Sequence, residues 1–167
     1  MYEIIEFDSR YINLFYESFR SIVHEHRFYI ITQAPSYECV KQWCERNVQE
    51  KSLHLIALGM ERLIGSADIY SRQHEGASHI GVLAMFVIQE YRGHGVATQL
   101  MESIIGAARL RGFEKLELEV LASNRAAITL YHKFGFFEEG VRSKAKKVAD
   151  GHYIDVILMA KNLDDCR

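Results

Sequence analysis

Proline is nearly absent: Pro35 is the only one in 167 residues, and it fits a helix entry better than a linker. Cysteine is scarce as well. Cys39, Cys44 and Cys166 are an odd number with no Cys-x-x-Cys spacing, which argues against a disulfide framework and against a cysteine-based zinc site. Cys44 reads as core, and a cytoplasmic location is the default expectation. Long hydrophobic runs are missing, since none nears the roughly 20 residues that span a bilayer. The beginning, Met1-Tyr2-Glu3-Ile4-Ile5-Glu6, carries acid where a signal peptide carries base, so no membrane partner is expected. Excess charge of either sign is missing too. With 20 basic and 22 acidic residues the formal net charge is −2, so the basic face that nucleic acid usually requires is not expected. His24 and His26 lack a third ligand at suitable spacing, which makes them part of a polar loop and leaves no metal to expect. There is no repeat, no low-complexity tract and no linker. The expectation is one domain over 1–167, 49% apolar and long enough to bury a core.

What is present falls into alternating short segments. A strand is expected over 2–7. A helix capped by Asp8 or Ser9 should follow, with Ile12, Phe15, Phe19 and Ile22 at helical spacing. His24-Glu25-His26-Arg27 breaks that pattern as a solvated loop that can line a substrate pocket. Ser36 should cap a second helix, with Tyr37, Val40, Trp43, Cys44 and Val48 inward. Strands over 54–58 and 63–70 form a hairpin, and a polar loop, 71–78, leads to a buried strand over 80–88. A helix with Val96, Leu100, Ser103, Ile104, Ala107 and Ala108 on one side ends at Arg111-Gly112. Then come a strand (113–121), a short helix (125–134) and two strands (136–141 and 153–160) joined through the Asp150-Gly151 turn. Mixed order of this kind predicts an α+β, or mixed α/β, layer fold.

The centre of the chain is Phe86-Val87-Ile88-Gln89-Glu90-Tyr91-Arg92-Gly93-His94-Gly95-Val96-Ala97-Thr98. A strand, a glycine-bearing turn and a helix N-terminus in succession make an anion site. First-turn amides are unpaired, and glycine lets a ligand approach the backbone. Gly95-Val96-Ala97 lacks the Lys-Ser/Thr of a Walker loop, and Thr98 stands where a dinucleotide fingerprint needs a third small residue.

What remains, Arg92-x-x-Gly95-x-Ala97, resembles the Arg/Gln-x-x-Gly-x-Gly/Ala loop of the GNAT superfamily of N-acetyltransferases. Downstream, Asn124-x-x-Ala127-x-x-Leu130-Tyr131-x-Lys133-x-Gly135-Phe136 is similar to that family's second cofactor segment, in order and at its usual distance. The resemblance covers roughly 50–160. It implies the acyl-CoA N-acyltransferase fold: a mixed sheet of about six to seven strands, helices on both faces, and a cleft where the fourth and fifth strands splay. Acetyl-CoA is the implied acyl donor. Phe86 and Val87 match the strand end that pairs with the pantetheine arm. Arg92, Gly93, His94, Gly95, Val96, Ala97 and Thr98 match the pyrophosphate loop, and Asn124 matches a residue beside the pantetheine. Tyr131 matches the tyrosine near the thioester sulfur, where a phenol can return a proton to the leaving thiolate. Lys133 points to solvent or to the cofactor's outer phosphate.

Only a neutral amine attacks a thioester, so a base is needed. Leu118-Glu119-Val120 resembles the segment of ribosomal-protein N-terminal alanine acetyltransferases in which a Glu at the position of Glu119 is the base, through water. An exposed strand carboxylate is the other reading of Glu119. His79 is a second candidate, Val82 and Ala84 leave the central strand without a carboxylate, and the resemblance also allows solvent alone to take the proton, as in many relatives. The tail, Gly140-x-Arg142-x4-Lys147-x2-Asp150-Gly151-x-Tyr153-x-Asp155-x3-Met159, is similar to bacterial members that acetylate small amines, free amino acids among them. Lys144, Lys146 and Lys147 read as a solvated hairpin tip, with the cofactor's 3′-phosphate or an acceptor carboxylate as the alternative partner. The expected activity is therefore direct acetyl transfer, in a ternary complex, to a primary amine of a small molecule such as an amino acid or polyamine. A protein N-terminus is the alternative acceptor. A non-catalytic acyl-CoA sensor is the alternative from another class. Homodimers are common among relatives, and the sequence leaves open whether this chain forms a homodimer.

Overall fold

The computed structural model describes residues 1–72 and 74–163; Cys166 lies outside them. The elements in chain order are β1 (Glu3–Glu6), α1 (Ile12–His24), α2 (Tyr37–Gln49), β2 (Leu53–Leu58), β3 (Leu63–Ser71), β4 (Ile80–Val87), α3 (Val96–Leu110), β5 (Lys115–Leu121), α4 (Arg125–Lys133), β6 (Phe137–Lys147) and β7 (Tyr153–Asn162). The strands form one seven-stranded sheet in the order β1-β2-β3-β4-β5-β7-β6. The β4–β5 pair is parallel, and the other pairs are antiparallel. This is the mixed α+β layer fold expected from the order of the segments.

Alternation along β3 and β4 sorts the two faces of the sheet. On one, Gly65 lies so close to α3 that an added Cβ would stand 2.9 Å from Leu100 Cδ1. On the other, Phe86 meets Phe15 and Phe19 of α1 at ring-centroid distances of 5.8 and 6.3 Å. Ser66, Asp68 and Tyr70 of β3 pair in register with Phe86, Ala84 and Val82 of β4, and so share the α1 face. The α3 side is filled by Leu100, Met101, Ile104 and Ala108, all with essentially no exposure. Burying such side chains stabilises a fold by roughly 1.5–3 kcal/mol each.

Local chemistry explains the helix ends. The Asp8 carboxylate accepts from Arg10 N–H at 3.0 Å, but it caps a short 3-10 turn, Ser9–Tyr11, ahead of α1. Ser36 Oγ caps α2, accepting from Cys39 N–H at 3.3 Å. Asn124 Oδ1 caps α4 through Ala127 N–H at 3.2 Å. Three expectations need correcting. Ser103 is exposed, and Met101 and Ile105 fill the buried stripe in its stead, because α3 presents a wider apolar face than the counted spacing. Val48, expected inward, is 36% exposed at the end of α2. The strand expected over 136–141 runs on to Lys147, since pairing with β7 continues past a break in register after Arg142.

Candidate active site

The parallel β4–β5 ladder is short. It joins Ile80, Gly81 and Val82 to Lys115, Leu116 and Glu117 and then stops. Beyond Val82, β4 keeps its β3 partners as far as Val87, while β5 turns to β7 as far as Leu121. The edge of β4 facing β5 is thus open from Leu83 onward, and Phe86 and Val87 lie along it. An unpaired edge of this kind accepts an extended, amide-bearing chain as an added strand.

At the top of that edge the chain enters α3 through two left-handed residues, Gly93 at φ 77° and Gly95 at φ 82°. A Cβ on either would meet nothing within 4 Å, so glycine is required by backbone conformation and open space remains above it. Gly95 is the N-cap of α3 and no side chain caps the helix. Gln99 N–H bonds Gly95 O at 3.1 Å, which leaves the first-turn amides of Val96, Ala97 and Thr98 for an outside acceptor. A diphosphate meets these requirements, with amides and helix dipole both favouring negative charge. The imidazole of His94 bonds back to Arg92 O at 2.9 Å.

Arg92 contributes main chain to this loop, but its side chain is engaged elsewhere. Nε donates to Val87 O at 2.9 Å, and the two terminal nitrogens bond the Glu25 carboxylate at 2.7 and 2.5 Å. Its guanidinium also lies 4.5 Å from the centre of the Phe28 ring. The segment 24–27 is exposed at His24, His26 and Arg27, as expected of a solvated loop, but Glu25 ties it to the loop before α3.

The same segment is held from the opposite side. Lys146, expected at a solvated hairpin tip, is only 3% exposed; its Nζ donates to His26 O and Tyr29 O, both at 2.7 Å. The reason is the longer β6, which carries Lys146 under the α1–α2 connection, where two carbonyls replace water around the ammonium. Burial moves its pKa downward. Lys144 and Lys147 are exposed beside the Tyr153 ring, as expected of a tip.

Tyr131 is 7% exposed, with its ring 5.8 Å from that of Phe136, and burial pushes its hydroxyl up to about 12. Glu119 stands on the same face of β5 as Glu117, which pairs with Val82. Its carboxylate is 44% exposed and bonded to Arg142 Nη1 at 2.7 Å. Asn124 is at the N-cap of α4, with its carbonyl used by the helix. Lys133 is exposed. His79 is exposed and precedes β4 at the end where β4 and β5 are still paired, away from the split.

Two residues of this face escaped the sequence reading. Asp68 is a partly buried carboxylate in mid-β3, opposite Ala84, and burial alone pushes it up to about 7. Tyr29, on the α1–α2 connection, packs edge-on against Phe19 at 5.6 Å. Burial first, then the charges of Asp68 and Tyr131, raise its hydroxyl, so the three groups are near enough to feel one another's charge. An acid flanked by Ala67 and Ile69 is the one local mark of Asp68, and it does not reveal that the carboxylate lacks a partner. Nothing in the sequence marked Tyr29. Among the described residues, no cluster of three or more His, Cys, Asp or Glu side chains is arranged to hold a metal ion.

A sequence model of the acetyltransferase (GNAT) family matches residues 11–136, and the chain belongs to that family, whose enzymes take an acetyl group from acetyl-CoA. It is 29% identical over 149 residues to the L-amino acid N-acetyltransferase AaaT of Escherichia coli, covering 87% of this chain and 91% of that one. Shorter matches reach two protein acetyltransferases. One is N-alpha-acetyltransferase 30 of Schizosaccharomyces pombe, 33% identical over 58% of this chain and 61% of the relative. The other is the ribosomal protein bS18-alanine N-acetyltransferase of Salmonella typhimurium, 41% identical over 42% of this chain and 47% of that enzyme. In both of these cases the chain spans less than two thirds of the relative's length. Among solved structures, that of yncA from Salmonella typhimurium, a putative acetyltransferase with its cofactor acetyl-CoA, superposes with a TM-score of 0.90 at 19% identity. It covers all of this chain and 96% of that one.

Proposed function

We propose that this chain transfers the acetyl group of acetyl-CoA to the primary amine of a small molecule, by direct attack in a ternary complex. The observation that carries the acceptor class is the Lys146 strut. It ties β6 to the α1–α2 connection across the face that holds Tyr29 and Asp68. A protein N-terminus needs an open groove to lie in, and a strut across the acceptor side obstructs an extended peptide more than a compact amine. The alignment to an amino-acid acetyltransferase over 87% of the chain supports the same reading. The protein N-terminal alternative draws on the shorter matches alone.

Acetyl-CoA brings an activated acyl carbon and leaves as a thiol. The amides of Val96, Ala97 and Thr98, with Gly93, His94 and Gly95 and the main chain of Arg92, would hold its diphosphate. The open edge at Phe86 and Val87, with Asn124 nearby in the resemblance, would hold its pantetheine. Tyr131, kept protonated by burial, is suited to donate a proton to the departing sulfur. Glu119, half in solvent beside Arg142, is assigned to passing the amine's proton onward through water.

The test is release of free thiol from acetyl-CoA against a panel of amino acids, polyamines, aminoglycosides and peptides of varied N-terminus. Turnover with free amino acids or polyamines, and none with peptides, is the expected result. Turnover with peptides alone would assign the chain to protein acetylation. Acetyl-CoA binding with no turnover on any amine would favour the sensor.

A further inference from the structure

Asp68 is at odds with its surroundings. Its β3 neighbours Ala67 and Ile69 are buried and apolar, and its cross-strand partner on β4 is the small Ala84. An ionised carboxylate taken out of water is costly unless something pairs with it. Yet among the described residues nothing does: neither a hydrogen bond nor an opposite charge accompanies the burial that raises it. The three ionisable groups that Asp68 itself shifts, and its register partner on β2, are neutral near pH 7, while the charged Glu119 and Arg72 act on Tyr70 and Glu45 on Cys44. Tyr29 faces it from the α1–α2 connection and Cys44 from α2, and both are raised by burial and by Asp68 itself. Tyr70 follows on its own strand, raised by burial, Asp68 and Glu119. His54, its register partner on β2, is lowered to about 3 by burial and uses Nε2 on Ser66 Oγ at 2.8 Å, so it carries no charge. A carboxylate without a cation, on the acceptor face, one strand from the open edge of β4, is a place made for a cation that arrives with the substrate.

We infer that Asp68 binds the ammonium group of the incoming acceptor and takes its proton, so that the amine is neutral when it meets the thioester. This rests on the amine-acetylation reading above. The ammonium gives one proton to Asp68, and the freed nitrogen pair forms the N–C bond at the acyl carbon. The C–S bond breaks, and its electron pair goes to sulfur as a thiolate. Tyr131 protonates that thiolate and recovers a proton from the new amide nitrogen. Asp68, partly buried, then releases its proton to solvent. One ammonium and one thioester thus yield one amide, one thiol and one proton. Ala84 provides the space beside the carboxylate, and Tyr29, held by Lys146, closes it.

The experiment compares wild type with Asp68→Asn and Asp68→Glu on the best amine of the panel. It reads kcat/KM against pH, together with acetyl-CoA affinity by calorimetry. Asp68→Asn is expected to lower kcat/KM about 100-fold or more, the usual scale of a positioned base. It should abolish the low-pH limb while leaving acetyl-CoA affinity within about twofold, and Asp68→Glu should restore part of the rate. Hydroxylamine, already neutral at neutral pH, should lose much less than an alkyl amine in Asp68→Asn; a merely structural role would depress both alike. Equal losses on the two nucleophiles, or an intact low-pH limb in Asp68→Asn, would overturn the assignment while leaving acetyl transfer standing. A wild-type enzyme that binds acetyl-CoA but turns over no amine would overturn the functional reading, and Asp68 as proton acceptor with it.

Discussion

Tyr131 and Asp68 are shifted by the same force with opposite consequences. Loss of water keeps the phenol protonated, so it is a donor throughout the neutral range. The same loss brings the carboxyl up to about 7, where it exchanges protons at working pH. Tyr131→Phe should lower kcat about tenfold to 100-fold and leave acetyl-CoA affinity nearly unchanged, measured by steady-state kinetics and calorimetry. Equal loss of both would mean that Tyr131 grips the cofactor. Asp68 also marks stability. Its folded value lies above the ordinary carboxylate range near 4, so the folded state holds the extra proton, and stability falls as pH rises from about 4 through about 7. Chemical denaturation across that window should show a decline on the order of a few kcal/mol, which Asp68→Asn removes. A variant that declines as steeply as wild type would show that Asp68 is not the source. Tyr131 was legible from its place in a motif. Asp68 was not, because its meaning comes from the strands on either side and from the cation missing around it.

At the scale of elements, the β4–turn–α3 unit follows most directly from its residues. Glycines at 93 and 95, an apolar run before them and helical spacing after them suffice to specify an uncapped helix N-terminus beside an open edge. Gly95→Ala should cost about 1–2 kcal/mol for the left-handed backbone, seen as a lower melting temperature. It should also weaken acetyl-CoA binding more than it weakens any acceptor. The α1–α2 connection is the opposite case. Its residues read as a polar loop because Glu25, His26 and Arg27 are polar, whereas two distant cations, Arg92 and Lys146, organise it. Partners separated by 67 and 120 positions leave no periodic trace. Lys146→Met would strand the carbonyls of His26 and Tyr29, each at a cost of about 1–3 kcal/mol. Acceptor KM should rise and acetyl-CoA affinity should hold. A shift in neither stability nor KM would mean that the strut is idle.

Over the whole molecule, the order of segments was enough to place the chain among mixed layer folds, and the seven strands fall where alternation and turns put them. The extension of β6 was not visible, because Arg142 to Lys147 looks like solvated hairpin and is paired only through its partner strand. That extension brings the C-terminal hairpin against the α1–α2 connection through Lys146. Arg92 has a further consequence. One guanidinium joins Val87 O at the end of β4 to Glu25 and Phe28 of the α1–α2 connection, so the placement of donor and acceptor proposed above makes one side chain common to both sites. Two ligands that share a hinge are thermodynamically linked, and linkage runs both ways by the same factor. Acceptor affinity measured with and without a non-reactive acyl-CoA analogue, and analogue affinity measured with and without acceptor, should change by one common ratio. In Arg92→Met that ratio should fall towards unity, and the two substrates would then bind as strangers.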